Sequence, residues 1–212
     1  MTPTWPLIFF QFFVLIYSII LHEIAHGAMA KSLGDDTAER LGRLSLNPIS
    51  HIDPLGSIIL PLISIISSAF GAPGLIIGWA KPVPFNPSNL KNPRKDEFLI
   101  SIAGLITNLT LALVFALLLP VTKDGTALAI QTIVQINVAL FVFNIIPIPP
   151  LDGSKILYYF LGTTRRTFPV VKFLEQNSLW LLLFLIFFGG NILYFLNLLT
   201  LKAIFSFVSL FY

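Results

Sequence analysis

Two histidines and a glutamate lie together in the sequence H-E-I-A-H at residues 22–26. The apolar run that follows Pro6 leads into this motif without a helix-breaking residue, which predicts that the motif lies late in one long helix. His22 and His26 then share one helix face, whereas Glu23 lies about 100° around the helix from His22. The pattern predicts two imidazole ligands to one metal ion, with Glu23 beside the open coordination position as a general base.

The alternative interpretation is that His22 and His26 bond to neighbouring helices and that Glu23 pairs with a lysine. An ionisable side chain near the middle of a membrane costs roughly 2.5 kcal/mol or more. Three such side chains occur together in an otherwise apolar helix, and a bound metal would compensate for that cost. We therefore favour the metal site.

A tetrahedral hydrolytic site usually takes a third protein ligand and leaves its fourth position to water. The candidates outside the first helix are His51, Asp53, Asp124 and Asp152. Asp152 ends the sequence N-I-I-P-I-P-P-L-D-G at 144–153, in which three prolines break the helix and hold the chain extended. Extended chain at membrane depth is tolerated only where it is buried in protein or lines a cavity. Asp152 is thus a candidate ligand, with a helix N-cap as its alternative role.

The elements that position these residues belong to a membrane protein. Of the 212 residues, 56% are hydrophobic and 11% are charged, and the mean hydropathy is +0.87. Charge-free stretches at 54–80, 98–122, 125–151 and 176–201 are each long enough for a spanning helix, which needs about 20 residues. The segments between them are too short for a separate soluble domain, so 1–212 is predicted to be one integral-membrane domain, with a catalytic core over 6–160 and a helical region over 177–212.

Charge and cysteine content exclude other classes. The net charge of +3 is spread over short loops next to the membrane, which is typical of topology signals and does not favour a nucleic-acid partner. The absence of cysteine excludes a thiolate metal site, so any metal must be held by histidine and carboxylate. The first apolar run has neither a basic leader nor a small-residue cleavage site, and we expect it to be retained.

Taken together, H-E-I-A-H and N-I-I-P-I-P-P-L-D-G resemble the site-2 protease family of intramembrane zinc metalloproteases. The resemblance extends to L-N-P-I-S-H-I-D-P-L-G at 46–56, G-W-A-K-P-V-P-F-N-P at 78–87 and A-G-L-I-T-N-L at 103–109. It implies one Zn²⁺ held by His22, His26 and Asp152, with Glu23 as the general base. With no inserted PDZ domain, the chain looks like the compact branch of that family.

The resemblance also implies a transmembrane protein substrate that is cut within or near its helix. It suggests Asn144 and Asn108 as substrate-binding residues, although asparagines within helices usually bond between helices. The segment 76–83, which contains Trp79 and Lys81, could add as a strand to an unwound substrate. Its alternative role is a loop with an interfacial tryptophan. Loop capping and turn formation explain His51 and Asp53 adequately.

Topology tests this reading, because His26 and Asp152 can meet only if one apolar stretch does not cross the membrane. The segment at about 54–84 is interrupted by Pro and Gly and is predicted to be re-entrant, as a helix followed by an extended strand. Eleven of the thirteen Lys and Arg residues then share one side. The positive-inside rule places that side, with the metal site opening towards it, in the cytoplasm and the N-terminus outside the cell membrane.

The predicted fold is therefore an all-α polytopic membrane protein of about four to six transmembrane helices. The spanning helices are expected at 6–33, 98–120, 126–147 and 177–199, with the tail 201–212 lying in the interface or turning back into the bilayer. The predicted function is intramembrane zinc proteolysis. A metal transporter and a catalytically inert metal-binding scaffold remain as alternatives, although a transporter would usually need a polar path beyond the site.

Overall fold

The computed structural model describes residues 5–53, 56, 81–162 and 164–212, and the regular structure within these ranges is helical. Short 3-10 turns occupy Pro48–His51, Pro87–Asn89 and Leu119–Val121. The described residues form eight α-helices: α1 Trp5–Ser32, α2 Thr37–Arg40, α3 Pro93–Leu118, α4 Asp124–Asn144, α5 Asp152–Leu161, α6 Phe168–Gln176, α7 Ser178–Phe188 and α8 Gly190–Val208.

Four of these helical stretches are long and apolar enough to cross a membrane. They cover 5–32, 93–121, 125–144 and 190–208, with mean hydropathies of 2.1, 2.4, 1.8 and 1.6. Large aromatic side chains such as Phe9, Phe13, Phe195 and Phe205 are exposed on their outer faces, where a lipid bilayer would cover them. The prediction of an all-α, multi-pass membrane protein is confirmed.

The centre of the bundle is formed by α1, α3 and α4, with α8 packed against α3 and α4. Ala112 and Ala116 on α3 face Val134 and Val138 on α4, and all four are fully buried. Small side chains at such an interface let helix backbones approach closely, and this packing supplies the contact energy inside a membrane. These three helices carry the metal-binding motif and its nearest partners.

The segment between α1 and α3 begins and ends on one side of the bundle. Ala30 near the end of α1, Leu90 before α3 and Ile100 near the start of α3 form one buried cluster. The Lys81 N–H also donates to the His51 carbonyl at 2.9 Å, so the chain returns at 81 to the point that it left at 51. This is what the re-entrant prediction for 54–84 requires. Residues 54, 55 and 57–80 themselves lie outside the described residues.

The helix expected over 177–199 differs from the observed structure. It is divided at Gly189 into α7 and α8, and α8 continues to Val208, through most of the tail for which an interfacial position or a turn back into the bilayer is predicted. α6 and α7 meet at 69° and together have the length and hydropathy of one further, bent span. A long apolar run does not reveal where it bends, because every register of it is hydrophobic. The glycine pair at 189–190 marks the break.

Candidate metal centre

Three potential ligand atoms converge where α1, α3 and α5 meet. The Nε2 atoms of His22 and His26 are 2.9 Å apart, and the Asp152 Oδ2 atom lies 3.2 Å from the first and 3.3 Å from the second. Ligand atoms of a tetrahedral zinc ion, at about 2.0–2.2 Å from the metal, are separated by roughly 3.3–3.5 Å. The spacing of the three atoms is therefore close to that of one zinc coordination shell.

Hydrogen bonds fix the orientation of both imidazole rings. Nδ1 of His22 donates to the Asn108 Oδ1 atom at 2.6 Å, and Nδ1 of His26 donates to the Ile100 carbonyl at 2.7 Å. Both partners are acceptors, so each ring carries its proton on Nδ1 and presents the Nε2 lone pair to the centre. Metal-binding histidines are commonly oriented in this way by a second hydrogen bond.

The resulting donor set fits a divalent cation. Two imidazole lone pairs and a carboxylate oxygen point at one another, an arrangement that repels itself unless a positive charge lies between them. Asp152 Oδ2 is buried and has no hydrogen-bond partner among the described residues. Nitrogen and oxygen ligands of this kind suit Zn²⁺, and the residues present therefore fit the zinc ion that the sequence predicts.

Asp152 reaches the histidines because the chain turns back at the end of α4. Residues 145–151 form turns that include a cis peptide bond between Pro149 and Pro150, and α5 begins at Asp152 itself. The next residue, Gly153, packs so closely on this turn that a Cβ there would lie 2.1 Å from the Ile145 carbonyl oxygen. Asp152 is the first residue of the helix, not its N-cap, and its carboxylate faces the two histidines.

Gly104 on α3 is a site residue to which the sequence assigned no role. A Cβ at this position would lie 2.4 Å from His26 Cε1 and 2.7 Å from His22 Cε1. Only a glycine lets α3 lie directly against both rings. The sequence does contain a signal for this role: Gly104 precedes Asn108 by one helical turn, so the two residues lie on the same face of α3.

Glu23 lies next to this centre. A carboxylate oxygen of Glu23 and the ligand atoms of both histidines are all within 4.8 Å of one another. Its Oε2 atom accepts a hydrogen bond of 2.7 Å from the Val83 N–H. Asp152 Oδ2 lies 3.2 and 3.3 Å from the two Nε2 atoms, which is the spacing expected of a third ligand, and Glu23 is the other carboxylate next to this centre.

The chain that carries Val83 has no regular secondary structure over 81–86, and hydrogen bonds hold it to the rest of the protein at both ends. At its start, the buried Arg43 side chain donates to the carbonyls of Lys81 and Pro82. At its end, the Asn86 N–H donates to the fully buried Asp35 carboxylate at 2.7 Å. Burial would raise the pKa of Asp35, but hydrogen bonds from Thr37, Asn86 and Asn89 outweigh it and hold this pKa below its usual value.

Asn108 is brought to the site, behind His22 and not on an open surface. It is fully buried, and its Nδ2 donates to the Asn137 Oδ1 atom at 3.0 Å. Asn137 in turn donates to the Ser18 hydroxyl at 3.0 Å. A chain of hydrogen bonds therefore runs from Ser18 on α1 through Asn137 on α4 and Asn108 on α3 to His22. These contacts give Asn108 an orienting role that the sequence did not indicate.

The other predicted residues have separate environments. Asn144 ends α4 and donates to the Leu140 carbonyl of its own helix at 3.0 Å, and Lys81 is exposed. Trp79 lies outside the described residues.

His51 is buried and bonded to the Ser45 carbonyl at 2.7 Å, and Asp53 accepts from the Gly56 N–H at 2.7 Å, as expected of loop residues. Asp124 begins α4, at the opposite end of that helix from Asn144.

Comparison with known proteins relates this chain to a family of peptidases. Residues 120–188, which include Asp152, match the model of peptidase family M50. The chain is 37% identical over 185 residues to the Bacillus subtilis protein named "Putative zinc metalloprotease YwhC", covering 82% of this chain and 77% of that protein.

Two mycobacterial proteins named "Putative zinc metalloprotease Rip2" are more distant. The one from Mycolicibacterium smegmatis is 31% identical over 160 residues, which cover 70% of this chain and 58% of the relative. The one from Mycobacterium tuberculosis is 28% identical over 182 residues, which cover 79% of this chain and 66% of the relative. The chain thus spans less than two thirds of the Rip2 proteins. No solved structure matches significantly.

The YwhC match covers most of both chains. The helical membrane fold and a set of donor atoms that fits zinc are consistent with that match. The chain therefore belongs to peptidase family M50, the site-2 protease family, and is a multi-pass membrane zinc metalloprotease.

Proposed function

We propose that this protein is an intramembrane zinc endopeptidase, which hydrolyses peptide bonds within or near the transmembrane helices of membrane-protein substrates. The observation that carries the proposal is the convergence of His22, His26 and Asp152 within 2.9–3.3 Å of one another. His22 and His26 lie on α1, whose length and hydropathy suit a spanning helix. A peptide bond must therefore enter the bilayer as far as His22 and His26 to be cut.

In this proposal, His22, His26 and Asp152 hold the metal, and Glu23 is the general base. Bound zinc supplies a Lewis acid that lowers the pKa of water and polarises the scissile carbonyl. Glu23 accepts the proton of the attacking water and then returns it to the leaving amine. The Val83 N–H fixes the Oε2 atom of Glu23, and the same carboxylate has a second oxygen, Oε1, that can take the proton.

A substrate helix must unwind before it can react, because its backbone groups are already hydrogen-bonded within the helix. We propose that Asn144, Trp79 and Lys81 contact the unwound segment, and that the segment 76–83 pairs with it as an added strand. Four backbone groups within 81–83 already have partners inside the protein. They are the N–H groups of Lys81 and Val83 and the carbonyls of Lys81 and Pro82. The main-chain contacts to substrate would therefore come chiefly from residues before Lys81.

We further propose that the site opens to the cytoplasm and that the protein resides in the cell membrane. The support is the distribution of basic residues: Lys31 lies in the last turn of α1, Arg94 and Lys95 lie in the first turn of α3, and Lys91 shortly precedes α3. Lys123 begins the opposite end of α4. Cytoplasmic loops carry the excess of Lys and Arg in membrane proteins.

The test is to incorporate the protein and a set of single-span helical substrates into liposomes and to locate the cut by mass spectrometry. The proposal predicts cleavage inside or at the edge of the substrate's apolar segment, with no cleavage by Glu23→Gln at equal zinc content. Cleavage confined to soluble peptides would contradict the intramembrane assignment. Zinc flux into the liposomes without any cleavage would favour the transporter alternative, and bound zinc with neither flux nor cleavage would favour the inert scaffold.

A further inference from the structure

Arg43 is a buried arginine that lies outside the spanning helices. Its residue is only 5% exposed, although arginine is almost never buried without a partner. Its Nη2 atom donates to the Lys81 carbonyl at 2.6 Å and to the Pro82 carbonyl at 3.2 Å. Among the described residues, Arg43 forms no ion pair with a carboxylate, unlike its neighbour Arg40, which pairs with Asp36. The charge of Arg43 is therefore directed at the backbone of one short segment.

That segment is connected directly to the general base. Pro82, whose carbonyl Arg43 holds, is followed by Val83, whose N–H donates to Glu23 Oε2 at 2.7 Å. The Val83 side chain is buried and packs against Gly27 on α1, where a Cβ would lie 2.8 Å from Val83 Cγ1. The position of the Val83 N–H relative to Glu23 is thus set by the Arg43 contacts on one side and by close packing on α1 on the other.

We infer that Arg43 is a positioning residue for catalysis: it holds Lys81–Val83 in place so that the Val83 N–H orients the Glu23 carboxylate. This inference rests on the proposed role of Glu23. A glutamate side chain has three rotatable bonds, and anchoring one oxygen restricts where the other can meet the attacking water. Arg43 acts through Val83, and it touches neither the metal ligands nor Glu23 in the contacts described above.

The test compares Arg43→Gln and Arg43→Lys with Arg40→Gln. Arg40 lies three residues earlier and is exposed, so its substitution removes the same charge without releasing the segment. Misplacement of a catalytic group by about 1 Å can cost on the order of 100-fold in rate. We expect kcat to fall by roughly 10- to 100-fold in Arg43→Gln, with KM and zinc content close to those of the parent. Arg43→Lys should recover part of the rate, because its ammonium can reach one of the two carbonyls.

Hydrogen exchange gives a readout that does not depend on turnover. Pro82 and Pro84 have no amide N–H, so deuterium uptake over 81–84 reports on Lys81 and Val83 alone. Uptake there should rise in Arg43→Gln and in Glu23→Ala, and should be unchanged in Arg40→Gln. If Arg43→Gln does not fold, Arg43→Lys carries the same test, with a smaller increase in uptake and a smaller loss of kcat.

Two results would overturn the inference. One is that Arg43→Gln, or Arg43→Lys in its place, keeps both the parent's kcat and the parent's uptake over 81–84. The other is a loss of activity that is fully accounted for by lost zinc. If the parent itself cleaves no substrate while uptake responds as expected, the proposed protease function fails and the structural link from Arg43 to Val83 stands. The two failures are therefore distinguishable.

Discussion

The hydrogen bond behind His22 gives the most quantitative prediction. Asn108→Ala removes the acceptor of the His22 Nδ1 proton, which is held at 2.6 Å in a fully buried position. The ring can then rotate or change tautomer, and its Nε2 lone pair is no longer directed at the metal. Loss of such an outer partner typically weakens metal binding by about 10- to 100-fold. This corresponds to roughly 1.4–2.7 kcal/mol of binding free energy.

The substitution should also lower the free energy of unfolding. It leaves the His22 N–H and the Asn137 Oδ1 atom without the partner that Asn108 provides. An unsatisfied buried polar group costs about 1–3 kcal/mol. Asn108→Asp keeps an acceptor for His22, so it should restore most of the zinc affinity.

The assay is competition for zinc between the detergent-purified protein and a chromophoric chelator at fixed pH. Thr132→Ala is the matched control, because Thr132 is a buried polar residue on α4 that bonds only locally, to the Leu128 carbonyl, in the contacts found. The control should bind zinc like the parent. An Asn108→Ala protein that is folded and keeps the parent's zinc affinity would refute the argument that this hydrogen bond orients the ligand.

Three further predictions concern the base, the packing and the segment that carries Val83. Glu23→Gln should retain zinc and lose roughly 100- to 10,000-fold in kcat, and loss of zinc in this variant would identify Glu23 as a ligand. Gly104→Ala should lose zinc binding because its Cβ would clash with both imidazoles, whereas Gly125→Ala, with open space around it, should not. Asp35→Asn should lower the Tm at neutral pH and reduce the further fall of Tm when the pH is lowered. Because the pKa of Asp35 is lowered in the folded protein, its carboxylate stabilises the fold above about pH 3.9, and this stabilisation is lost as pH falls through the folded-state pKa. If Asp35→Asn lowered the Tm by the same amount at every pH, the argument would be wrong.

Local spacing was sufficient to predict part of the site. His22 and His26 share a face because they are four residues apart in a helix, and this follows from helix geometry alone. The approach of Asp152 depends on contacts between distant segments. It was predicted from the proline-rich turn and the family resemblance, and the structure brings the three ligand atoms together. Their roles as zinc ligands remain a proposal until metal binding is measured.

Other parts of the site could not be predicted because they depend on helix register. The partner of His26 is a backbone carbonyl, that of Ile100, and no side-chain pattern reveals such a contact. Gly104 has no side chain to suggest chemistry, and its importance appears only when two rings pack against it. Arg43 is one of the eleven basic residues that the sequence places on one side of the membrane, and its spacing does not reveal that it is buried, because burial of a loop arginine depends on how the loop folds.

The proposed zinc site depends on Asp152 as its third ligand, and the zinc content of purified variants is the decisive test. The measurement is zinc per chain in the detergent-purified parent, Asp152→Ala and Asp36→Ala, where Asp36 is an exposed carboxylate paired with Arg40. We expect one zinc ion per chain in the parent and in Asp36→Ala, and a marked loss of zinc in folded Asp152→Ala. Equal zinc in all three proteins would contradict this role of Asp152 and would point instead to His22, His26 and Glu23, whose candidate ligand atoms all lie within 4.8 Å of one another.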